Sequence, residues 1–144
     1  MSEETQAPAE ERRGDPPHAL RLSSIAPAIT VNDLDASLAW YCDVVGFTLG
    51  EKFEHEGEVR GASLVAGVAR LMLSKEDWAK GRDRVKGQGL RLYMSTNQDV
   101  DDVAAAIKAR GGELASEPTD QPWGARTFDL VDPDGFLLTI SSGG

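Results

Sequence analysis

Two histidines, His18 and His55, and one cysteine, Cys42, are the only residues of their types in the 144-residue chain. A Ser–His–Asp or Cys–His relay needs a histidine held by folded elements beside its nucleophile. His18 falls in a polar leading segment and His55 in a hairpin turn, so neither is placed for this and no catalytic residue is assigned. Cys42 lies inside a helical pattern next to Tyr41 and reads as a packed or half-exposed structural thiol. A lone cysteine also excludes an intrachain disulfide. No glycine-rich loop of the phosphate-cradling type is present. Carboxylates are plentiful, but they sit in helix starts and turns, where capping explains them. Binding chemistry is better represented. Trp123 sits on a loop between Pro122 and Gly124, with Arg126 and Phe128 just beyond. It reads either as a surface for stacking on a planar or cationic ligand or as a lid on the core. Arg91 reads either as the holder of an anionic ligand group or as the partner of a carboxylate on an outer face. Trp40 and Tyr41 fall on a helix, where core packing or a dimer seam suits them, and Trp78 falls in a connector.

The elements that position these residues follow from periodicity. Residues 24–31 alternate as a strand, with Ile25, Pro27, Ile29 and Val31 on one face. Asn32 or Asp33 supplies an N-cap. Leu34, Leu38, Tyr41 and Val45 recur at helical spacing up to Gly46, a helix stop. Strands are expected over 47–54, 59–66 and 69–74, with turns at 55–57 and 67–68. Residues 76–89 read as a charged connector with at most a short helical turn. The plan then repeats: a strand at 90–95, a helix at 98–110, and strands at 113–116, 126–131 and 136–141. The second helix has Asp99, Asp101 and Asp102 at its start and Lys108 and Arg110 at its end, as the helix dipole favours. Asp132-Pro133-Asp134-Gly135 is a strong turn between the last two strands. The helix-ending Gly46 and Gly111 lie 65 positions apart, and Arg70 and Phe136, at the start of the two closing strands, 66 apart. The matching offset points to an internal duplication of plan.

Composition sets the outer limits. Apolar content is 40% and charged content 27%, ordinary values for a globular chain. The length suits one domain over residues 22–144, made of modules at about 22–75 and 88–142. Residues 1–21 are polar, acidic and proline-containing, and read as a disordered tail with no secretory signal. The expected location is the cytoplasm, and no stretch approaches the roughly 20 apolar residues of a membrane span. Net charge is −9, of which −2 falls in the first 21 residues and −7 in the rest. Nucleic acid is therefore not expected as a partner, whereas a cationic ligand would be attracted.

The run from Val31-Asn32-Asp33-Leu34-Asp35-Ala36-Ser37 through Trp40-Tyr41 to Gly46-Phe47 resembles the first strand–helix signature of the VOC superfamily, the glyoxalase/bleomycin-resistance/dioxygenase group. Gln121-Pro122-Trp123-Gly124 followed by Asp132-Pro133-Asp134-Gly135 resembles its closing hairpin. Together the matches cover about residues 22–142. The resemblance implies an α+β fold of two βαβββ modules forming a curved mixed sheet, with the helices on the convex side and a pocket on the concave side. It also implies a homodimer, with the pocket commonly built from both chains. Metal-dependent relatives ligate a divalent ion with His and Glu on that concave face. The corresponding positions are Ala26, Met72, Arg91 or Leu92, and Thr139. None can form that site, so neither a metal nor another cofactor is expected.

Strand alternation then puts Ala26, Ala28 and Thr30 on the concave face, with Arg70, Met72 and Ser74, and Leu137, Thr139 and Ser141. On the fifth strand, Arg91 and Tyr93 are the alternative to Leu90, Leu92 and Met94. The expected ligand-contacting set is Trp123, Met72, Arg91, Tyr93, Arg126, Phe128 and Thr139. The reading is a metal-independent small-molecule-binding protein of the bleomycin-resistance branch, with an antibiotic or cationic ligand as the candidate class. The alternative is a lyase, isomerase or dioxygenase-like enzyme with non-standard or misaligned active-site residues, in the first place a glyoxalase-like lyase.

Overall fold

Proline and capping residues set where the first elements begin. The computed structural model describes residues 18–143. The leading segment assigned as a tail therefore lies outside the described residues, except for 18–21. Strand β1 is Ala28–Val31, four residues shorter than its pattern suggests. Pro27 has no N–H to give to a sheet, although its carbonyl accepts from Met72 at 3.0 Å. Ile25 is exposed rather than on the core face. Asp33 is the N-cap of α1 (Leu34–Ala39), and its carboxylate accepts from the Ala36 N–H. The chain then widens into a π-helical segment, Trp40–Val45, closed by Gly46 in the left-handed region. The Gly46 N–H donates to the Tyr41 carbonyl at 2.9 Å, the i to i+5 bond of that geometry.

Strands β2 (Thr48–His55), β3 (Glu58–Ala66) and β4 (Ala69–Lys75) complete the first module. The second repeats it with β5 (Arg91–Ser95), α2 (Val100–Ala109), β6 (Ser116–Asp120), β7 (Arg126–Val131) and β8 (Leu137–Ser141). The sheet orders are β1-β4-β3-β2 and β5-β8-β7-β6. In each, the first strand runs parallel to the fourth and the other pairings are antiparallel. The duplicated plan is therefore present in the topology. The eight strands of the described residues form two separate four-stranded sheets, not one continuous sheet.

Strand β6 is displaced from its expected place at 113–116. The Ala115 N–H already donates to the Asp129 carbonyl, and Leu114 packs on the core instead of pairing. Pairing extends instead through Pro118, which an edge strand tolerates because its missing N–H faces no partner. Residues 76–89 hold two turns, at 79–80 and 88–89, the first closed by the Gly81 N–H on the Trp78 carbonyl. Their organising centre is the buried Glu76 carboxylate. It accepts from the N–H groups of Asp77 and Trp78, from Arg84, and from Lys86 Nζ at 2.7 Å.

One core cluster joins both modules. Ile29, Val31, Leu71 and Leu73 enter it from the first sheet, and Leu92, Phe128, Leu130, Leu138 and Ile140 from the second. Leu34, Tyr41, Val100, Ala104 and Ile107 enter it from the helical segments. Polar contacts lock the junction. The Tyr41 hydroxyl donates to Asp132 at 2.7 Å, the Asn32 N–H to Asp134 at 3.0 Å, and the Arg110 guanidinium to the carbonyls of Val44 and Val45.

Candidate functional site

Alternation along a strand sends neighbouring side chains to opposite faces, and in the second sheet the two faces differ in chemistry. Leu92, Leu138, Ile140, Phe128 and Leu130 point to the helices and are buried. The other face carries Arg91, Tyr93, Thr127, Asp129, Leu137, Thr139 and Ser141, in register across β5, β8 and β7. The alternatives on β5 therefore resolve to Arg91 and Tyr93 on the helix-free face, with Leu92 in the core.

This face is hydrogen-bonded into a network. Arg91 Nη1 donates to Thr139 Oγ1 at 2.6 Å, and Thr139 Oγ1 donates on to Asp129 Oδ1 at 2.7 Å. The same Nη1 lies 3.6 Å from Asp129 Oδ1. The Tyr93 hydroxyl donates to Ser141 Oγ at 3.1 Å. The Ser141 hydroxyl and then the Trp123 indole beside it hold the Tyr93 phenol below its ordinary pKa. Gln121 Nε2 donates to Thr127 Oγ1 at 2.9 Å. Thr127, Thr139 and Ser141 are buried, so their hydroxyls form the floor, and Arg91, Tyr93 and Trp123 stand above it. Trp123 is 63% exposed and does not pack as a lid on the core. Its turn is set by Gly124, whose φ of 101° suits glycine and whose N–H donates to the Gln121 carbonyl.

Four of the seven expected ligand contacts, Arg91, Tyr93, Trp123 and Thr139, are thus brought together. Met72 lies on the corresponding face of the first sheet, beside Ala28 and Ser63. Phe128 and Arg126 correct the expectation. Phe128 is fully buried among the core residues. Arg126, two positions away and on the same side, bonds Asp101 at the start of α2 and Asp120 on β6. Both face the helices because they share the parity of Leu130, a pattern the alternating run Arg126–Val131 already carries. Asp129, Thr127 and Gln121 were missed. Their signal was register: Asp129 pairs with Thr139 across the last hairpin, so a face assigned to one belongs to the other.

Of the residues at the positions that the resemblance implies for metal ligands, Ala26, Met72 and Arg91 have no N or O group suited to a hard or borderline cation, and Thr139 offers a hydroxyl. Among the described residues no group of three or more His, Cys, Asp or Glu side chains is placed to hold a metal ion. The Cys42 thiol is pushed up by burial and by Asp43, the opposite of nucleophile activation. A cleft of about 360 Å³ opens elsewhere, lined by Trp40, Val131 and residues 111–115. Among the described residues Glu113 is its only ionisable lining residue.

Comparison with known proteins agrees with this architecture. The family model described as the Glyoxalase/Bleomycin resistance protein/Dioxygenase superfamily matches residues 21–140. A bleomycin resistance protein of Geobacillus stearothermophilus is 29% identical over 126 residues, covering 79% of this chain and 92% of the relative. A probable lactoylglutathione lyase of a Synechocystis species is 29% identical over 118 residues, covering 78% and 88%. Among solved structures, TioX from a Micromonospora species superposes with a TM-score of 0.67 at 23% identity, covering 83% of this chain and 97% of its own. A superfamily member from Sphaerobacter thermophilus superposes at 0.68 with 23% identity, covering 85% and 98%. These two likenesses concern the fold.

Proposed function

Because this chain belongs to the glyoxalase/bleomycin resistance protein/dioxygenase superfamily, we propose that it is a metal-independent small-molecule-binding protein whose ligand sits on the helix-free face of the second sheet. One observation carries the reading. Arg91, Tyr93, Trp123 and Thr139 converge there over a floor of satisfied hydroxyls, and among the described residues no group of three or more His, Cys, Asp or Glu side chains is placed to hold a metal ion. A few placed polar groups beside aromatic surface are what a small-molecule site requires. The similarity to a bleomycin resistance protein supports a binding role.

The site is an open face, and we propose that a second copy of the chain supplies the opposing wall. Tyr93 and Trp123 are exposed on the second sheet, and Phe53, which pairs with Gly61, is exposed on the first. A homodimer would cover such surface. Action in the cytoplasm is part of this proposal; among the described residues no helix is long and apolar enough to cross a membrane.

The test is a thermal-shift screen of cationic antibiotics and small acids, run with and without chelator. A ligand at 100 times its Kd adds about 2.7 kcal/mol of stability. Hits that survive chelation support the proposal. The second reading, a lyase, rests on the equal identity to the probable lactoylglutathione lyase. About one equivalent of bound metal by elemental analysis, with turnover of a glutathione hemithioacetal that chelation abolishes, would replace the binding reading with that one.

A further inference from the structure

The guanidinium of Arg91 is held by one edge and open at the other. Nη1 is committed to Thr139 and approaches Asp129, whereas Nε and Nη2 have no partner among the described residues. The side chain is nevertheless 51% exposed, so its open edge meets solvent. Thr139 is buried and is itself fixed by Asp129, so the contact that orients the guanidinium comes from a rigid part of the sheet. A planar fork with one edge immobilised presents two parallel N–H groups, the arrangement that matches a carboxylate or another planar oxyanion. Tyr93 stands two positions along the same face, about 7 Å away at strand spacing, and Trp123 lies beside the Tyr93 hydroxyl. Both aromatic groups are exposed. That separation fits one molecule whose acid group lies on the fork and whose ring lies on the aromatic pair.

We propose that this face takes a planar aromatic or heteroaromatic acid, with its carboxylate on the open edge of Arg91 and its ring against Tyr93 and Trp123. The assignment rests on the binding role proposed above and specifies the ligand class. Asp129 acts as a positioning residue. It neutralises the clamped edge of the guanidinium and, through Thr139, fixes the direction of the free one. The open edge of Arg91 is positive, opposite in sign to the net charge of the chain, so the two expectations make different claims about the ligand.

Three probes of one shape separate them: naphthoate, naphthylmethanol and naphthylmethylammonium. Each is titrated into the purified full-length protein, followed by amide NMR shifts and tryptophan fluorescence. The acid is expected to bind about tenfold more tightly than the alcohol, and the ammonium no more tightly than the alcohol. Arg91→Gln should remove that tenfold preference, bringing the affinity for the acid down to that for the alcohol. Arg91→Lys should restore only part of it, because a lysine lacks the planar fork. Arg91 is half exposed, so both variants should fold, and their circular dichroism checks that. If the alcohol or ammonium binds as well as the acid, and loses affinity in Trp123→Ala but not in Arg91→Gln, the acid assignment is wrong and the binding site stands. If none of the probes shifts the amides around Arg91, Tyr93 and Trp123, both fail.

Discussion

Tyr41→Phe isolates one hydrogen bond at the junction of the modules. The Tyr41 ring is fully buried and stacks edge-on with Trp40 and Phe47 at centroid distances of 4.8 and 5.7 Å. Phenylalanine keeps those contacts and opens no cavity. What is lost is the 2.7 Å bond to Asp132 Oδ2. The other oxygen, Oδ1, still accepts from the N–H groups of Asp134 and Phe136 at 2.9 and 2.8 Å. Oδ2 is then left unpaired on a residue only 4% exposed. A hydrogen bond to a charged group is worth about 1.5–3 kcal/mol. Unfolding entropy of about 2.1 cal/mol/K per residue, over 144 residues, gives about 0.3 kcal/mol/K, so Tm should fall by about 5–10 °C. The pH dependence adds a second check. Burial holds the Asp132 carboxyl above its ordinary pKa, and the Tyr41 bond opposes that rise. A raised carboxyl favours the fold at pH below its unfolded pKa, and that contribution is lost as pH rises through the folded value. Removing the hydroxyl raises the folded value further, so the variant should lose most at neutral pH and progressively less in acid. Urea melts at several pH values, with Asp132→Asn and the double variant to complete a cycle, measure this. A loss under about 0.5 kcal/mol at neutral pH, or zero coupling in the cycle, would refute the reasoning.

Three further outcomes are expected. Glu76 is held below its ordinary pKa, chiefly by the Lys86 bond, so its contribution is present above about pH 4.3 and is lost as pH falls through the lowered folded value. Glu76→Gln should flatten that limb of an acid-unfolding curve. Gly87→Ala should cost about 1–3 kcal/mol more than Gly57→Ala in thermal melts. Both positions have positive φ, but only at Gly87 would a new Cβ collide with the Gly135 carbonyl. Trp123→Ala should weaken a ligand found by the screen by about 1–3 kcal/mol, as read by calorimetry. Its stability should fall by less than the roughly 3–5 kcal/mol of a buried tryptophan, because the side chain is exposed.

The residues that alternate or recur at helical spacing were readable in the sequence because burial itself writes that period. Leu34 and Tyr41 mark the first helical segment, and Val100 and Ile107 the second, all in the core. Arg126–Val131 is a strand at the expected bounds. Edge elements were less legible. Strand β6 carries Pro118 and mostly exposed residues, so no apolar period locates it. The DPDG run was readable as a turn but not as a clamp. Its Asp132 and Asp134 find Tyr41, Asn32 and Ser37 some 90 to 100 residues away, and local sequence holds no trace of such pairings. At the site, choosing Arg91 over Leu92 needed a single parity, and Leu138, parallel to Leu92 across β5 and β8, provides it.

The acidity of the chain and the cation at its candidate site act over different distances, and that decides which should govern the ligand. The net charge of −9 is spread over the whole sequence. At physiological salt its field decays within about 8 Å, so it biases encounter more than contact. A carboxylate on the open edge of Arg91 would lie within hydrogen-bond distance of two N–H groups, well inside that length. Asp129 tempers the attraction, yet it approaches the guanidinium from the Nη1 edge, which Thr139 also occupies. The free edge is therefore the less compensated one. Long-range repulsion should slow the arrival of an acid without preventing its retention. On this argument a ligand class inferred from total charge and one inferred from Arg91 need not agree, and contact geometry governs the equilibrium.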